Sequence, residues 1–291
     1  MARELAAQPT TPLRARALVY RSLGRAQAVR GEYADAAATL RAGLDLISRS
    51  GARLGEPEIV IRLDLIDTLA RLDTAPADLL ALARETLARS IDLLGPTAIN
   101  TAVATNSLAS AYVRAHDLPT GLRYAQDSLA LFLRLRPPAH SQVINQRAEV
   151  AMTLRRLGRL DEAHAELARI VREHEHHPGM IQRGYAYYLW QLALTSFALG
   201  HHAEAVAELE RAIGRIDSDQ GDHHPDALRM RFTLTDMQID LGLLAEAERG
   251  LAFLEQAYAH PASPTAARRR AQIHGQLTAR VARARGPARA A

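Results

Sequence analysis

Histidine is the residue type in this sequence whose clustering could most directly support chemistry. The run His174-Glu175-His176-His177 is followed by the pairs His201-His202 and His223-His224. Imidazole nitrogens bind zinc and nickel, so these seven rings could together form a metal site. Alternatively, His177 and His224 begin His-Pro turns, and His201 and His202 fill a turn between two helices. We expect the second arrangement, in which the histidines lie on separate turns and bind no metal.

Two pairs of carboxylates are close enough in sequence for acid–base catalysis, namely Asp161 with Glu162 and Asp236 with Asp240. The first pair coincides with an acidic position that recurs along the chain, and the second pair is one helical turn apart. We therefore expect solvated acids or ion-pair partners. The sequence has no Gly-rich phosphate loop, no Gly-x-Ser-x-Gly and no His-Glu-x-x-His motif. It predicts no catalytic residue and no cofactor.

The composition predicts that helices position these groups. Apolar residues make up 48% of the 291 residues and aromatic residues only 4%. Ala, Leu, Arg and Glu dominate, and these are strong helix formers, whereas the β-branched and aromatic residues of a large sheet are scarce. The absence of cysteine excludes disulfides, thiolate metal sites and cysteine catalysis.

Charge is distributed unevenly along the chain. Residues 1–30 hold six Arg and one Glu, residues 264–291 hold seven Arg and no acid, and the middle holds 23 Arg against 31 acids. A nucleic-acid-binding protein usually has its basic residues on the working surface, so the acidic middle argues against that partner. Neither a secretory signal nor an apolar run long enough to span a membrane is present, and we expect a cytoplasmic protein without a membrane partner.

A repeat of about 42 residues is the strongest pattern in the sequence. Its clearest copies begin at Gly158, Gly200 and Gly242, each followed four and five residues later by Glu-Ala. Earlier copies lie at Gly31, Asp73 and His116. An internal period of this size indicates stacked helical pairs. In each copy, glycine can end the first helix in the left-handed conformation, and the acid suits the start of the second helix.

Small and apolar residues recur inside the second helix of each copy. The alanine is expected where two helices approach closely, and a leucine four residues later is expected on the inner face. These positions are Ala36, Ala163, Ala205 and Ala247, with Leu40, Leu167, Leu209 and Leu251. A proline also recurs near the start of each unit and is expected at the first helical position. These prolines are Pro57, Pro96, Pro138, Pro178, Pro225 and Pro264.

The repeat resembles the tetratricopeptide repeat (TPR) over residues 17–260. Tyr20-x-x-Leu23-Gly24 followed by Gly31-x-Tyr33-x-x-Ala36 carries the likeness. The period of 42, with His-Pro at unit starts and Asn106-Ser-Leu108-Ala109-Ser-Ala-Tyr112, is similar to the kinesin-light-chain variety. The second copy departs from it, with Asp73 and Asp78 where glycine and alanine are expected.

The resemblance implies an all-α fold, an α–α superhelix or TPR-like solenoid. We expect six helix-turn-helix repeats at residues 13–52, 56–95, 97–136, 139–176, 179–217 and 225–260. A C-terminal capping helix is expected at residues 263–286, beginning at Ser263-Pro264 and ending at Gly286, before a disordered tail at 287–291. Its expected inward residues are Ala267, Ala271, Ile273, Leu277 and Val281, with Arg280 facing outward.

The resemblance also implies a function, because the first helices of such repeats line a concave groove. The expected role is that of a non-catalytic module binding a peptide or helical segment of a partner protein. The alternative is a regulatory sensor region of a larger signalling protein. Transferring the TPR register gives these groove positions: Arg21 and Arg25; Leu63 and Asp67; Asn106, Ser110 and Arg114; Asn145, Met152, Arg155 and Arg156; Tyr187, Trp190 and Leu194; Arg229, Phe232 and Asp236.

Two interpretations of the groove residues remain open. Asn side chains can hold a peptide backbone and Arg can pair with a carboxylate, but any of these positions can equally be a solvated surface. The segment Tyr185-Ala-Tyr187-Tyr188-Leu-Trp190 could form a binding hot spot or fill the core between repeats.

Overall fold

The computed structural model describes residues 12–72, 74–176, 184–258, 275–281 and 283. Within these ranges the regular structure is helical, with no strand, which confirms the all-α expectation. None of the described helices has the length and hydropathy needed to cross a bilayer. The chain divides into two compact units, Met1–Leu157 and Gly158–Ala291, called here the N-terminal and the C-terminal unit.

In the described part of the N-terminal unit, residues 12–157, seven helices pack as consecutive neighbours. The helices are α1 (Leu13–Val29), α2 (Tyr33–Ser50), α3 (Glu56–Ala70), α4 (Pro76–Leu94), α5 (Ile99–Arg114), α6 (Leu118–Leu135) and α7 (Ser141–Arg156). Each repeat has a first and a second helix. In this unit the first helices are α1, α3, α5 and α7, and the second helices are α2, α4 and α6.

The C-terminal unit contains five described helices and a helical stretch at residues 275–281. Its helices are α8 (Leu160–His176), α9 (Tyr185–Ala198), α10 (His202–Gln220), α11 (Pro225–Asp240) and α12 (Leu244–Tyr258). Leu277 and Val281 are buried against α11 and α12, as expected of a capping element. The expectations for Ser263, Pro264, Ala267, Ala271, Ile273, Gly286 and the tail lie outside the described residues.

The recurring alanines and leucines form the core between paired helices, as predicted. Ala36, Ala163, Ala205 and Ala247 are fully buried, and their leucine partners are buried as well. In the second repeat, the small and the large residue of this buried pair exchange places. Asp78 is exposed, whereas Leu79 and Ala83 are buried one residue further along, so leucine comes first and alanine second. This exchange conserves the volume of the pair.

The turn between paired helices explains the recurring glycine. Gly31, Gly158, Gly200 and Gly242 all have positive φ, between 72° and 85°. In the third repeat this position is His116, which has φ of 63° and is the one non-glycine residue with positive φ among the described residues. A left-handed conformation costs free energy for a residue with a Cβ, so His116 is a strained version of the same turn. The equivalent Asp73 lies outside the described residues.

The prolines do not all lie where the sequence predicts. Pro225 is at the first position of α11, as expected, whereas Pro57 is at the second position of α3, after Glu56. Pro96 and Pro138, however, precede α5 and α7 by three residues. Each is the second residue of a four-residue turn, Gly95–Ala98 or Pro137–His140. In each turn the backbone N–H of the last residue donates to the carbonyl of the first. Proline suits this second turn position because its φ is already fixed. Pro178 and Pro264 lie outside the described residues.

Candidate functional site

In the N-terminal unit, side chains on neighbouring first helices bond to one another. The Arg21 guanidinium on α1 donates to Asp64 on α3 at 2.7 Å. The Gln146 amide on α7 donates to the Asn106 side-chain oxygen on α5 at 2.9 Å. These bonds join α1 with α3 and α5 with α7, and α3 is also in contact with α5. The side chains that these four first helices present are called here the first-helix face. Arg21 and Asn106, predicted as ligand contacts, also hold neighbouring repeats together.

A first cavity on this face, cavity A, lies between α1 and α3 and has a volume of about 500 Å³. Its lining includes Arg25 and Asp67, both predicted groove residues, together with Asp64 and Arg71. Although Asp67 stays open to water on one side, the cavity walls remove part of its hydration and raise its pKa. The neighbouring Asp64 carboxylate acts in the same direction, and Arg71 opposes both. Cavity A thus presents carboxylates and guanidinium groups side by side.

A second cavity, cavity B, lies between α5 and α7 and has a volume of about 540 Å³. It is lined by four predicted residues, Asn106, Ser110, Arg114 and Arg156, and by Glu149, which sequence reasoning missed. The sequence did contain an indication that Glu149 belongs to this face: it lies four residues after Asn145 and therefore on the same side of α7.

Glu149 is the most unusual group in cavity B. Burial raises the pKa of its carboxyl, with no neighbouring charge contributing to the shift. Within the part of the chain that the structure describes, this carboxylate has no ion-pair partner. A partly desolvated carboxylate without a partner gains most from a ligand that brings a cation or an N–H donor. The guanidinium of Arg156, by contrast, already contacts the Val113 carbonyl at 3.4 Å.

Other predicted positions of the N-terminal unit lie outside the two cavities. Leu63 is buried in the core. Asn145 is exposed on α7, and Met152 and Arg155 are half-buried on the same helix. None of these three is part of the lining of cavity A or B.

A third cavity of the N-terminal unit, cavity C, is lined mainly by the second helices α4 and α6 and has a volume of about 370 Å³. Its lining comes from α4, α5 and α6 and is mostly apolar, including Leu87, Ile91 and Leu131. It contains none of the predicted groove residues.

In the C-terminal unit, three predicted residues form an aromatic and cationic cluster. The Arg229 guanidinium lies 5.2 Å from the centre of the Trp190 ring, and the Tyr187 ring meets Trp190 edge-on at 6.1 Å. Trp190 is only 8% exposed, and its buried indole N–H has no hydrogen-bond partner within the described part of the chain. Phe232 packs against the core. The tryptophan is therefore an inter-repeat core residue, and Tyr187 and Arg229 are the accessible parts of the cluster.

Most of the predicted turn histidines have local roles. His224 precedes α11, and its Nδ1 accepts from the Asp226 backbone N–H at 3.2 Å, as a helix cap does. His174 is buried, and its Nδ1 lies 2.9 Å from the Ile170 carbonyl. His176 Nδ1 lies 2.7 Å from the Arg172 carbonyl, one helical turn earlier, and His223 Nδ1 lies 2.6 Å from the Asp222 carboxylate. His177 lies outside the described residues, and His201 is close to a residue that the sequence did not single out, His164.

Three of the four carboxylates, Glu162, Asp236 and Asp240, take part in ion pairs, one of the two roles expected for them. Glu162 accepts from Arg159 at 2.7 Å on the surface. Asp236 and Asp240 both accept from Arg280 of the C-terminal stretch. Arg280, expected to face outward, is thus half-buried by these contacts.

Comparison with known proteins bears on the fold. No protein-family model and no curated protein matches the chain. Among solved structures, a kinesin light chain of nearly identical TPR-like repeats from Podosopora anserina matches 71% of this chain and 98% of its own. The two share 15% identity with a TM-score of 0.58.

Two other solved structures are similar over more of the chain. A Rap protein in complex with competence and sporulation factor matches 97% of this chain and 80% of its own, with 13% identity and a TM-score of 0.64. A STAND signal-transduction ATPase with a tetratricopeptide repeat sensor, from Pyrococcus horikoshii, gives a TM-score of 0.63 at 13% identity. That match covers 88% of this chain but 39% of the ATPase. At such identities the likeness concerns the fold alone. The chain therefore has the fold of TPR-like helical-repeat proteins, including those of the kinesin-light-chain type.

Proposed function

We propose that this chain is a non-catalytic protein-interaction module that binds a segment of a partner protein on the first-helix face of the N-terminal unit. The observation that carries the proposal is cavity B, where the Glu149 carboxylate is partly buried and has no ion-pair partner among the described residues. Arg114 and the amide of Asn106 line the same cavity. Such a lining suits a protein segment, because a peptide offers N–H donors, carbonyl acceptors and charged side chains at short intervals.

The position of cavity A supports the same proposal. It lies on the same face as cavity B and also combines Asp and Arg side chains. Cavity A, between α1 and α3, and cavity B, between α5 and α7, are two helix spacings apart, which is about 20 Å. An extended peptide rises about 3.3 Å per residue, so a segment of roughly six residues would reach from one cavity to the other. The two cavities would then receive side chains at the two ends of one segment.

The proposal can be tested without knowing the natural partner. Peptides would be selected from a random display library on the immobilised full chain, and their affinities measured by isothermal titration calorimetry. We expect Glu149→Gln or Arg25→Ala to weaken binding of the selected peptides by about 1–3 kcal/mol each. Asn145→Ala and Arg155→Ala test the rest of the first-helix face and are expected to act in the same direction.

A matched control comes from cavity C, which is lined by none of the predicted groove residues. Ile91 lines cavity C and is 45% exposed, so Ile91→Asp changes that surface without opening the core. We expect this variant to bind the selected peptides as the unmodified chain does. Loss of binding in Ile91→Asp, together with intact binding in the Glu149, Arg25, Asn145 and Arg155 variants, would place the binding site on the second helices and refute the proposal.

A sensor role within a larger signalling protein is a second candidate. It is supported by the likeness to the STAND ATPase that carries a tetratricopeptide repeat sensor. Hydrogen exchange with and without a selected peptide separates the two candidates. A simple binding module would be protected only near the occupied cavities, whereas a sensor would also change exchange in helices that the peptide does not touch.

A further inference from the structure

Three side chains of the C-terminal unit converge in a way that the sequence did not reveal. His164 lies on α8, His201 immediately precedes α10, and Glu204 is in the first turn of α10. One ligand atom of each lies within 4.8 Å of those of the other two. The sequence interpretation treated His201 as a turn residue and did not consider His164, which is 37 positions away in the chain.

The contacts within this cluster leave its polar atoms available. The His164 and His201 rings meet edge to face, with centres 5.9 Å apart. His201 Nδ1 is 3.8 Å from a Glu204 oxygen, which is too long for a hydrogen bond. His164 Nε2 is buried and has no hydrogen-bond partner among the residues that the structure describes. Buried imidazole nitrogens are normally satisfied, so the arrangement is costly unless another group supplies the missing interaction.

The donor set matches the preferences of zinc and related transition metals. Zinc binds His nitrogen and carboxylate oxygen at about 2.0–2.2 Å, and two histidines with one glutamate form a known three-ligand arrangement that leaves one position for water. Ligand atoms on one tetrahedral ion lie roughly 3.4 Å apart. The three groups therefore need to close by little more than 1 Å from their present limit of 4.8 Å.

The local structure permits that closure. The His201 and Glu204 side chains are 53% and 56% exposed, so they can change rotamer without displacing core residues. His201 is the N-cap residue of α10 and Glu204 is its third residue, and side chains at these two positions lie close together at the start of a helix. His164 is held by α8 and would supply the fixed ligand.

We propose that His164, His201 and Glu204 form a binding site for a divalent transition-metal ion of the zinc class. The ion would link the second helices α8 and α10, which belong to consecutive repeats of the C-terminal unit. Magnesium and calcium, which prefer oxygen ligands, would not bind here. The site is independent of the peptide surface proposed for the N-terminal unit.

The test is calorimetric titration of the untagged full chain, freed of metal by a chelator, with zinc chloride. We expect one zinc ion per chain, and affinity lowered at least about tenfold in His164→Ala, His201→Ala and Glu204→Gln. His223→Ala is the matched control, because this exposed histidine lies on another turn and pairs with Asp222. Its zinc affinity should equal that of the unmodified chain.

Cobalt(II) supplies an independent readout, because an ion bound by two imidazoles and a carboxylate in tetrahedral geometry has intense visible absorption bands. These bands should be absent from the His201→Ala variant. His164→Gln, which keeps a polar side chain of similar size, replaces His164→Ala if the smaller residue disturbs folding. The proposal is wrong if the unmodified chain binds no zinc at millimolar concentration, or if the three ligand variants bind zinc as tightly as the His223→Ala control.

Discussion

The first helices of the two compact units were predicted to do the same work, yet the structure uses them differently. In the N-terminal unit, polar side chains on α1, α3, α5 and α7 leave two cavities lined by charges of both signs. In the C-terminal unit, the corresponding helices α9 and α11 bury Trp190 and cover it with Tyr187 and Arg229. Tryptophan, a residue type that often binds partners, is thus part of the packed core in the C-terminal unit. In the N-terminal unit, smaller polar and charged residues line the open cavities.

The difference follows from side-chain size at equivalent positions. Large aromatic side chains on neighbouring helices fill the space between them and exclude a ligand. Asn, Ser and Glu at such positions leave room, and one of these groups, the Glu149 carboxylate, has no ion-pair partner among the described residues. We therefore expect the two faces to respond in opposite ways to mutation, with stability changing in the C-terminal unit and binding in the N-terminal unit.

The largest expected effect comes from removing the buried indole. Trp190→Ala should lower the free energy of unfolding by about 3–5 kcal/mol, because it leaves a cavity between α9 and its neighbours. Arg25→Ala in cavity A should change it by less than about 0.5 kcal/mol. Urea denaturation followed by circular dichroism measures both. Similar values for the two variants would remove the distinction between a packed and an open face.

Enlarging the repeat alanine tests what the two units share. Ala36→Leu in the N-terminal unit and Ala205→Leu in the C-terminal unit should each cost about 3 kcal/mol. Both alanines are fully buried where paired helices meet, and an added side chain separates them. Thermal unfolding of both variants is the measurement. A large cost in one unit and none in the other would show that only one unit is packed as described.

Glu208 gives the C-terminal unit a pH dependence of its own. Burial raises the pKa of this carboxyl to about 7, although the Ser196 hydroxyl donates to it at 2.8 Å. Because the folded state holds this proton more tightly than the unfolded state, the stabilisation is complete below pH about 4.5 and is lost as pH rises towards about 7. Glu208→Gln should abolish that loss, on the order of 1–2 kcal/mol.

The measurement for Glu208 is the free energy of unfolding between pH 4.5 and 8, compared between the variant and the unmodified chain. Glu210→Gln, an exposed position on the same helix, is the control and should leave the pH profile unchanged. Parallel profiles for Glu208→Gln and the unmodified chain would contradict the assignment of the raised pKa to this carboxyl.

The smallest expected effect concerns the turn between paired helices. His116→Gly in the N-terminal unit should raise stability by about 0.5–1 kcal/mol, because glycine tolerates a φ of 63° without a Cβ penalty. The reverse change at the equivalent position of the C-terminal unit, Gly200→Ala at φ of 85°, should lower stability by about 1 kcal/mol. Melting temperatures of the two variants should therefore shift in opposite directions, and shifts of the same sign would contradict the shared turn geometry.

The sequence by itself determined the repeat, its helical content and the positions of its turns and close contacts. These features depend on local rules: glycine at a left-handed turn, alanine where helices meet and leucine one turn later. The rules fail in two places. Leu79 and Ala83 exchange the usual order of alanine and leucine, and His116 takes the left-handed turn conformation in place of glycine.

Only the tertiary structure decided which of the groove candidates are open, paired or buried. Arg21 was predicted as a ligand contact and bonds to Asp64, 43 residues away; Trp190 was left open between hot spot and core and is buried. Glu149 and His164 lie at positions that the sequence pattern treats as ordinary surface of a helix. Each belongs to a candidate site only because groups from neighbouring helices lie beside it. Which side chains meet between two helices depends on how those helices pack, and the helices are distant in sequence.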